Sequence, residues 1–270
     1  MSYKYGFIGC GNMGGALARA IVKTVSPERV ILSDKDGAKA SALADELGAA
    51  VGDVSDAAAS SEYIFIGVKP QMLAEMFSEI RDTLAANKNR FVLVSMAAGV
   101  SIESIKELAG GDYPVIRIMP NLPASVGEGM IVYTSDGKVT SEEVGTLVHD
   151  MQGAGKLDKI DEKLIDAASA ISGCGPAFIF MLAEALADGG VQAGLPRDKA
   201  LLYAEQMIKG SAELALRSDR HPEALKDAVC SPGGTTIEGV RTLEKGAFRS
   251  VTSEAVIAAY ERTKALGKKN

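Results

Sequence analysis

Short apolar runs alternate with amphipathic segments along the first half of the chain. The runs are partly β-branched and have strand length, at residues 4–8, 30–32, 63–68, 91–95 and 115–119. Between the runs, apolar residues recur at spacings that predict helices, at residues 14–25, 37–47, 71–84 and 101–108. This alternation predicts right-handed βαβ units, and therefore an α/β fold with a doubly wound parallel sheet covered by helices on both faces. The pattern continues with a strand at 127–134, a helix at 141–151 and a short strand at 156–157.

The pattern changes near residue 160, after which we predict helices alone. Pro or Gly separates most of these segments, which lie at residues 164–170, 175–193, 197–217, 222–229, 235–243 and 249–266. We therefore predict a nucleotide-binding domain over residues 1–160 and an all-helical domain over residues 161–270. The helical domain has more apolar surface than it can bury alone, which predicts a homodimer through that domain.

Composition narrows the function classes. Apolar residues make up 47% of the chain, and Lys and Arg number 29 against 35 Asp and Glu, so we expect no nucleic-acid partner. The most apolar stretch, residues 177–187, is shorter than the roughly twenty residues of a membrane span, so we expect no membrane partner. Unpaired cysteines and the lack of a signal peptide predict a cytoplasmic protein. The two histidines, His149 and His221, are far apart and predict no metal site.

A glycine-rich segment follows the first predicted strand and opens the first helix. Residues 9–14 read Gly-Cys-Gly-Asn-Met-Gly and fit the GxGxxG fingerprint of Rossmann-type domains. In this context Gly9 permits a tight turn, Gly11 allows the backbone to approach a pyrophosphate, and Gly14 allows close packing of helix and strand. The helix N-terminus then offers free N–H groups to the anion. An ordinary glycine turn is the alternative interpretation.

The end of the second strand bears on the choice of cofactor. Asp34 lies where an acidic residue would bind the adenosine ribose and favour NADH. Ser33 and Lys35 favour a 2′-phosphate instead, because a hydroxyl and a cation bind that group well. We predict NADPH, with NADH as the alternative; an exposed loop charge is the other interpretation of Lys35.

Two more segments end strands at the edge of the sheet where ligands bind. Gly67, Val68, Lys69 and Pro70 follow one strand, and Met96, Ala97 and Ala98 follow the next. Small residues there would let a nicotinamide ring approach the backbone, although simple turns would have the same composition.

A polar glycine loop, Cys230-Ser-Pro-Gly-Gly-Thr-Thr236, lies between two helices of the second domain. Consecutive N–H groups in such a loop can bind a carboxylate, and the Ser and Thr hydroxyls add donors. Local capping of the following helix is the alternative.

In these motifs the chain resembles the pyrroline-5-carboxylate reductases along nearly its whole length. The segments that carry the resemblance are FIGCGNMG, GVKPQ, SMAAGVSI, RIMPNLPASVGEG, SGCGPAFIF and LKDAVCSPGGTTIEGV. The resemblance implies the reduction of the cyclic imine Δ1-pyrroline-5-carboxylate to L-proline with NAD(P)H, the last step of proline synthesis. It also implies interdigitated helices in the dimer, and leaves a decamer open as a higher assembly.

The resemblance implies a role for individual residues. It assigns the substrate to Ser231, Gly234, Thr235 and Thr236, with the Thr236 hydroxyl near the ring nitrogen as the catalytic group. It assigns the cofactor to the following residues: Ile8, Gly9, Cys10, Gly11, Asn12, Met13, Ser33, Gly67, Val68, Lys69, Pro70, Met96, Ala97 and Ala98. The chain departs from the usual family pattern at Val54, Leu122, Cys174 and Phe178.

Two other functions fit parts of the pattern. The β-hydroxyacid dehydrogenases have a similar N-terminal domain, but they use a lysine where this chain has Ile179. A nucleotide-sensing regulator would need only the first domain, and the polar loop at residues 230–236 argues against it.

Overall fold

The computed structural model describes residues 3–267 and divides them into two compact units. Residues 3–174 and 259–267 form the first unit, and residues 175–258 form the second. Eight strands make one sheet: β1 Tyr3–Ile8, β2 Val30–Ser33, β3 Ala50–Val51, β4 Ser61–Ile66, β5 Val92–Ser95, β6 Val115–Met119, β7 Gly129–Ser135 and β8 Gly155–Lys159.

Twelve α-helices lie within the described residues. Those that precede residue 174 are α1 Asn12–Ile21, α2 Gly37–Leu47, α3 Val54–Ser60, α4 Leu73–Ala86, α5 Ile102–Ala109, α6 Ser141–Asp150 and α7 Glu162–Ser172. Those that follow are α8 Gly175–Gln192, α9 Arg197–Arg217, α10 Pro222–Val229, α11 Thr235–Lys245 and α12 Phe248–Gly267. The predicted α/β fold with a helical C-terminal region is confirmed.

The order of the sheet places the first and fourth strands side by side at its centre. The order is β3-β2-β1-β4-β5-β6-β7-β8, so the direction of progression reverses between β1 and β4. Ile8 pairs in register with both Ser33 and Ile66, and Ile66 pairs with Ser95. The carboxyl ends of the four central parallel strands therefore lie together at one edge.

Both faces of the sheet are buried under helices, as the alternating pattern predicts. On one face Phe7 and Phe65 stack at 4.5 Å between ring centroids and pack with residues of α1, α2 and α6. On the other face Ile64 and Ile66 pack with residues of α3, α4 and α5. Burial on both faces explains why these strands are continuously apolar.

Two features of the sheet were absent from the sequence expectations. The short pair β3 and α3 was not predicted, because an alanine-rich seven-residue helix carries little periodic signal; a capping box between Asp53 and Asp56 begins it. β7 runs antiparallel to β6. Only residues 120–128 separate these strands, whereas a parallel return needs a crossover of about a dozen residues or more.

The second unit buries very little of its apolar surface. Within residues 175–258, all of them described, the buried side chains are four alanines, at positions 183, 187, 200 and 204. The larger side chains lie outside, and Phe180 and Met181 are 60% and 68% exposed. A Cβ on Gly190 would lie 3.2 Å from the Ala200 Cβ, so α8 and α9 pack closely through small residues. Exposed apolar area on this scale indicates a protein interface.

The segment Glu162–Gln192, which spans α7 and α8, contains a window with a mean hydropathy of 1.6. By length and composition alone it could cross a membrane, and only 17% of that window is buried. Core helices and interface helices of other proteins have the same composition.

Arg117 connects the sheet to α7 from a buried position. It is 3% exposed on β6, and its Nη2 lies 2.7 Å from the Asp166 Oδ1 on α7. Its Nη1 lies 3.5 Å from the Glu162 Oε1, and that oxygen also accepts the N–H of Ile102 at the start of α5, at 2.7 Å. One cation therefore holds the beginnings of two helices against one strand.

We predict that Arg117→Met lowers the free energy of unfolding by about 3 kcal/mol or more, because two carboxylates would lose their buried partner. Arg117→Lys should retain part of that stability. Urea unfolding followed by circular dichroism measures both variants. A loss below about 1 kcal/mol for Arg117→Met would show that water solvates Asp166 and Glu162 as well as Arg117 does.

Candidate cofactor and substrate sites

Two glycines bring the ends of β1 and β4 into backbone contact. Gly9 has a φ of +105°, and the N–H of Gly67 donates to the Ile8 carbonyl at 2.8 Å. A Cβ on Gly9 would lie 2.7 Å from the Gly67 carbonyl oxygen, and a Cβ on Gly67 would lie 2.7 Å from the Gly9 oxygen. Only glycine allows this approach at both positions. The crevice at this point of the sheet is where open α/β sheets bind their ligands.

The other two fingerprint glycines differ in what surrounds them. A Cβ on Gly14 would lie 2.0 Å from the Gly9 oxygen, so α1 packs directly against the turn. A Cβ on Gly11 would meet nothing within 4 Å, and its φ of −65° is allowed to any residue. Gly11 is the N-cap of α1 and makes no side-chain cap, so the first N–H groups of this helix are free to bind an anion.

The Asp34 carboxylate, which follows β2, accepts a hydrogen bond from the glycine-rich turn. Its Oδ2 accepts the backbone N–H of Cys10 at 2.7 Å, and its Oδ1 accepts that of Asp36 at 2.9 Å. The thiol of Cys10 donates to the Ser33 carbonyl at 3.4 Å. Burial, with the Asp34 carboxylate nearby, raises the pKa of Cys10 to about 12. The thiol is therefore protonated at neutral pH and is a poor nucleophile.

Many of the predicted cofactor residues line one cavity of about 510 Å³ at this edge of the sheet. They are Ile8, Gly9, Gly11, Asp34, Lys35, Gly67, Val68 and Lys69. A second cavity of about 380 Å³, beside the start of α1, is lined by Cys10, Gly11 and Asn12 among others. Gly11 and Lys39 line both cavities.

Other predicted cofactor residues line neither of these cavities. Ser33 is the last residue of β2 and is 1% exposed, Met13 lies in the first turn of α1, and Pro70 opens a 3-10 turn. Met96, Ala97 and Ala98 follow β5, and the Met96 N–H points to the Ile66 carbonyl at 3.4 Å. This segment lies at the carboxyl edge of the sheet next to the end of β4. The cofactor roles of all these residues stay predictions.

Several residues that line the larger cavity were not predicted as ligand positions. These residues are Asp36 before α2, Lys39 in the first turn of α2, and Met72, Glu75, Met76 and Glu79; Val54, already noted as a departure from the family pattern, also lines the cavity. The four from Met72 to Glu79 are spaced as one helical face, so the predicted helix over 71–84 contained the signal. The ligand positions predicted from the sequence were the strand ends, the glycine-rich turn and the polar loop, so this helical face was left out.

These residues fit a dinucleotide. The open space above Gly11, beside the uncapped start of α1, admits an anionic group such as a pyrophosphate. The apolar side chains Val54, Val68, Met72 and Met76 suit a flat base. Lys35 follows β2 and Lys39 lies in the first turn of α2, and both line the same cavity.

The polar loop of the second unit ends at the beginning of α11. Gly233 has a φ of +68°, and the Gly234 N–H donates to the Ser231 carbonyl at 3.0 Å. Gly234 is the N-cap and provides no side-chain cap. Among the described residues, no hydrogen bond involves the hydroxyls of Ser231, Thr235 or Thr236. The capping alternative is therefore wrong, and both the hydroxyls and the first N–H groups of α11 can bind a ligand.

Comparison with known proteins gives the following matches. Residues 162–266 match the family model of the pyrroline-5-carboxylate reductase dimerisation region, and residues 4–99 match that of the coenzyme F420-dependent NADP oxidoreductases. The chain is 42% identical to the pyrroline-5-carboxylate reductase of Arabidopsis thaliana, over 98% of this chain and 96% of the relative. It is 40% identical to the enzyme of Escherichia coli, over 99% of this chain and 100% of the relative.

Solved structures match over the same length. The Plasmodium falciparum pyrroline carboxylate reductase with NADP bound has a TM-score of 0.86 and 33% identity, with 98% of each chain covered. The Coxiella burnetii pyrroline-5-carboxylate reductase has a TM-score of 0.88 and 29% identity, with 98% of this chain and 99% of that chain covered.

We predict that Gly11→Ala impairs cofactor binding and that Gly14→Ala impairs stability. Gly11→Ala should fold with an unchanged melting temperature but lose most of its affinity for NADP+, because the methyl group enters the open space above the turn. Gly14→Ala should lower the melting temperature by several degrees, since its Cβ would overlap the Gly9 oxygen. Differential scanning fluorimetry and calorimetric titration of NADP+ give both numbers. Full affinity in Gly11→Ala would place the pyrophosphate elsewhere.

Proposed function

The chain belongs to the pyrroline-5-carboxylate reductase family, and from this premise we propose which of its residues perform the reaction. It is an NADP-dependent oxidoreductase that reduces the C=N bond of Δ1-pyrroline-5-carboxylate to give L-proline, the last step of proline biosynthesis. The bound cofactor supplies the hydride. The chain's own residues bind and orient the two reactants.

We assign the cofactor to the crevice between β1 and β4. The turn at Gly9 and Gly11 with the start of α1 would bind the pyrophosphate, and Lys35 would bind the 2′-phosphate. Asp34 would hold the turn in shape through the Cys10 N–H. Met96, Ala97 and Ala98, at the end of β5, would adjoin the nicotinamide ring, where small side chains allow close approach.

We assign the substrate carboxylate to the loop of Ser231, Gly234, Thr235 and Thr236. The first N–H groups of α11 carry the positive end of the helix dipole and have no cap, which suits a carboxylate. The Ser231 and Thr235 hydroxyls would add donors to the same group.

Thr236 would act on the ring nitrogen. Its side chain is partly buried, and its hydroxyl makes no hydrogen bond within residues 3–267, so it is available to donate to the nitrogen or accept from it. This free hydroxyl, one residue into an uncapped helix, is the observation that carries the assignment.

The chemistry requires little else from the protein. A protonated imine is already a strong electrophile, so hydride transfer depends mainly on the relative position of the reactants. None of the described residues form a cluster suited to a metal ion, and the assignment needs none.

The assembly follows from the second unit. The chain oligomerises through its C-terminal helical region, the region that matches the family's dimerisation model. We propose a homodimer in which the apolar faces of α8 and α9 are covered by a second copy, and a decamer as the higher assembly. The domain boundary at residue 161 stays part of the proposal.

We also propose that the protein is cytoplasmic and has neither a nucleic-acid nor a membrane partner. All three cysteines are free thiols, which fits a reducing compartment. A dimer interface would account for the hydropathy of the α7–α8 segment.

We predict that Thr236→Ala lowers kcat/KM for pyrroline-5-carboxylate about tenfold to a thousandfold, because one oriented hydrogen bond at the reacting centre is lost. NADPH oxidation followed by absorbance measures kcat/KM of the variant and of the wild type. Turnover by the wild type tests the proposed activity itself. The melting temperature should stay unchanged, since Gly234 rather than Thr236 is the N-cap.

Thr242→Ala is the matched control, because Thr242 lies on the same helix and its hydroxyl donates only to the Glu238 carbonyl, at 3.0 Å. Thr236→Ser should recover much of the activity. Normal kcat/KM in Thr236→Ala would remove Thr236 from the mechanism.

A further inference from the structure

Carboxylates outnumber lysines around the larger cavity. Four acidic side chains line it, namely Asp34, Asp36, Glu75 and Glu79, against three lysines, Lys35, Lys39 and Lys69. The balance is one negative charge, which is unexpected for a site that receives a cofactor with an additional phosphate. A 2′-phosphate monoester carries about −1.5 to −2 charges at pH 7.

Lys35 is already paired with an acidic side chain from α4. Its Nζ lies 2.8 Å from the Glu75 Oε1, and the two residues are 40 positions apart in the chain. Glu75 raises the pKa of the Lys35 ammonium, and Lys35 lowers the pKa of the Glu75 carboxyl. Both groups are therefore charged at neutral pH. Glu79, one helical turn further along α4, adds a second negative charge near Lys35.

The other charges near the end of β2 are paired too. The Lys39 Nζ lies 3.6 Å from the Asp36 Oδ2. Both oxygens of Asp34 accept backbone N–H groups. An incoming phosphate would therefore meet a carboxylate beside each of the two lysines near the end of β2, Lys35 and Lys39.

We propose that Glu75 is a specificity-determining residue that weakens the binding of NADPH relative to NADH by competing with the 2′-phosphate for Lys35. The inference rests on the proposed role of Lys35 in binding that phosphate. When NADPH binds, Lys35 either leaves Glu75 or holds the phosphate beside a carboxylate, and both cost free energy. NADH has a hydroxyl at this position, so it can bind without disturbing the pair.

The expected effect is moderate, because both side chains are exposed, at 72% and 60%. Solvent weakens a pair of this kind, and charges of equal sign a few ångströms apart in water repel only modestly. Glu75→Gln keeps the shape of the side chain and removes the charge. It should tighten NADP+ binding about threefold to tenfold and leave NAD+ within about twofold of wild type.

Calorimetric titration of the full-length protein with NADP+ and with NAD+, without substrate, measures this directly. Asp82→Asn is the matched control: Asp82 lies on the same helix, does not line the cavity, and its substitution changes the net charge equally. The control should leave the ratio of the two dissociation constants unchanged. The effect of Glu75→Gln should also shrink as salt is raised, because exposed charges are screened.

A double-variant cycle tests whether Glu75 acts through Lys35. Lys35→Gln should weaken NADP+ but not NAD+, and in that background Glu75→Gln should lose most of its effect. Equal changes for both cofactors in Glu75→Gln, or the same change in Asp82→Asn, would overturn the inference. So would a Lys35→Gln variant with an unchanged ratio.

Failure of this inference and failure of the proposed function have different signatures. If wild type oxidises NADPH with pyrroline-5-carboxylate while Glu75→Gln leaves the cofactor ratio unchanged, the function stands and the role of Glu75 is wrong. If wild type neither binds NADP+ nor reduces the imine, both are wrong.

Discussion

The backbone contact between Gly9 and Gly67 is the constraint on which the cofactor site depends. It requires β1 and β4 to be adjacent and parallel, with their carboxyl ends in register, and it excludes a Cβ on either residue. Gly14 extends the same packing to α1, so the start of that helix faces the crevice with its first N–H groups free. Asp34 then ties the turn to β2. Turn, helix end and cavity therefore form as one unit.

The helical unit, residues 175–258, packs through small residues instead of a core of large apolar side chains. Its two long helices, α8 and α9, pack through alanines and a glycine, which leaves their larger apolar side chains outside. The apolar surface that this packing leaves exposed fits the match of the region to the family's dimerisation model. The buried Arg117 anchors α7, which precedes this unit, to the sheet through Asp166 and Glu162. α7 is also the first helix of the residues that match the dimerisation model.

Much of the fold and of the glycine motifs at the site could be predicted from the sequence, because their signals are local. The alternation of strands and helices and the spacing of Gly9, Gly11 and Gly14 lie within short windows, as does the loop at residues 230–236. The remainder depends on contacts between distant residues. Nothing near Lys35 indicates Glu75, and nothing near Asp34 shows that both of its oxygens bind backbone N–H groups instead of remaining free for a ribose. The β3–α3 pair was missed because both elements are too short to show a periodic pattern of apolar residues.

In the proposed reaction, the turn after β1 binds the cofactor and the start of α11 binds the carboxylate of the substrate or product. Hydrogen–deuterium exchange with mass spectrometry tests both, because N–H groups without a partner exchange rapidly until a ligand binds them. We expect NADP+ to slow exchange at residues 9–14 and 67–70, and added L-proline to slow it at residues 231–237. Unchanged exchange at residues 9–14 with saturating NADP+, or at residues 231–237 with L-proline, would contradict the proposed cofactor or substrate site.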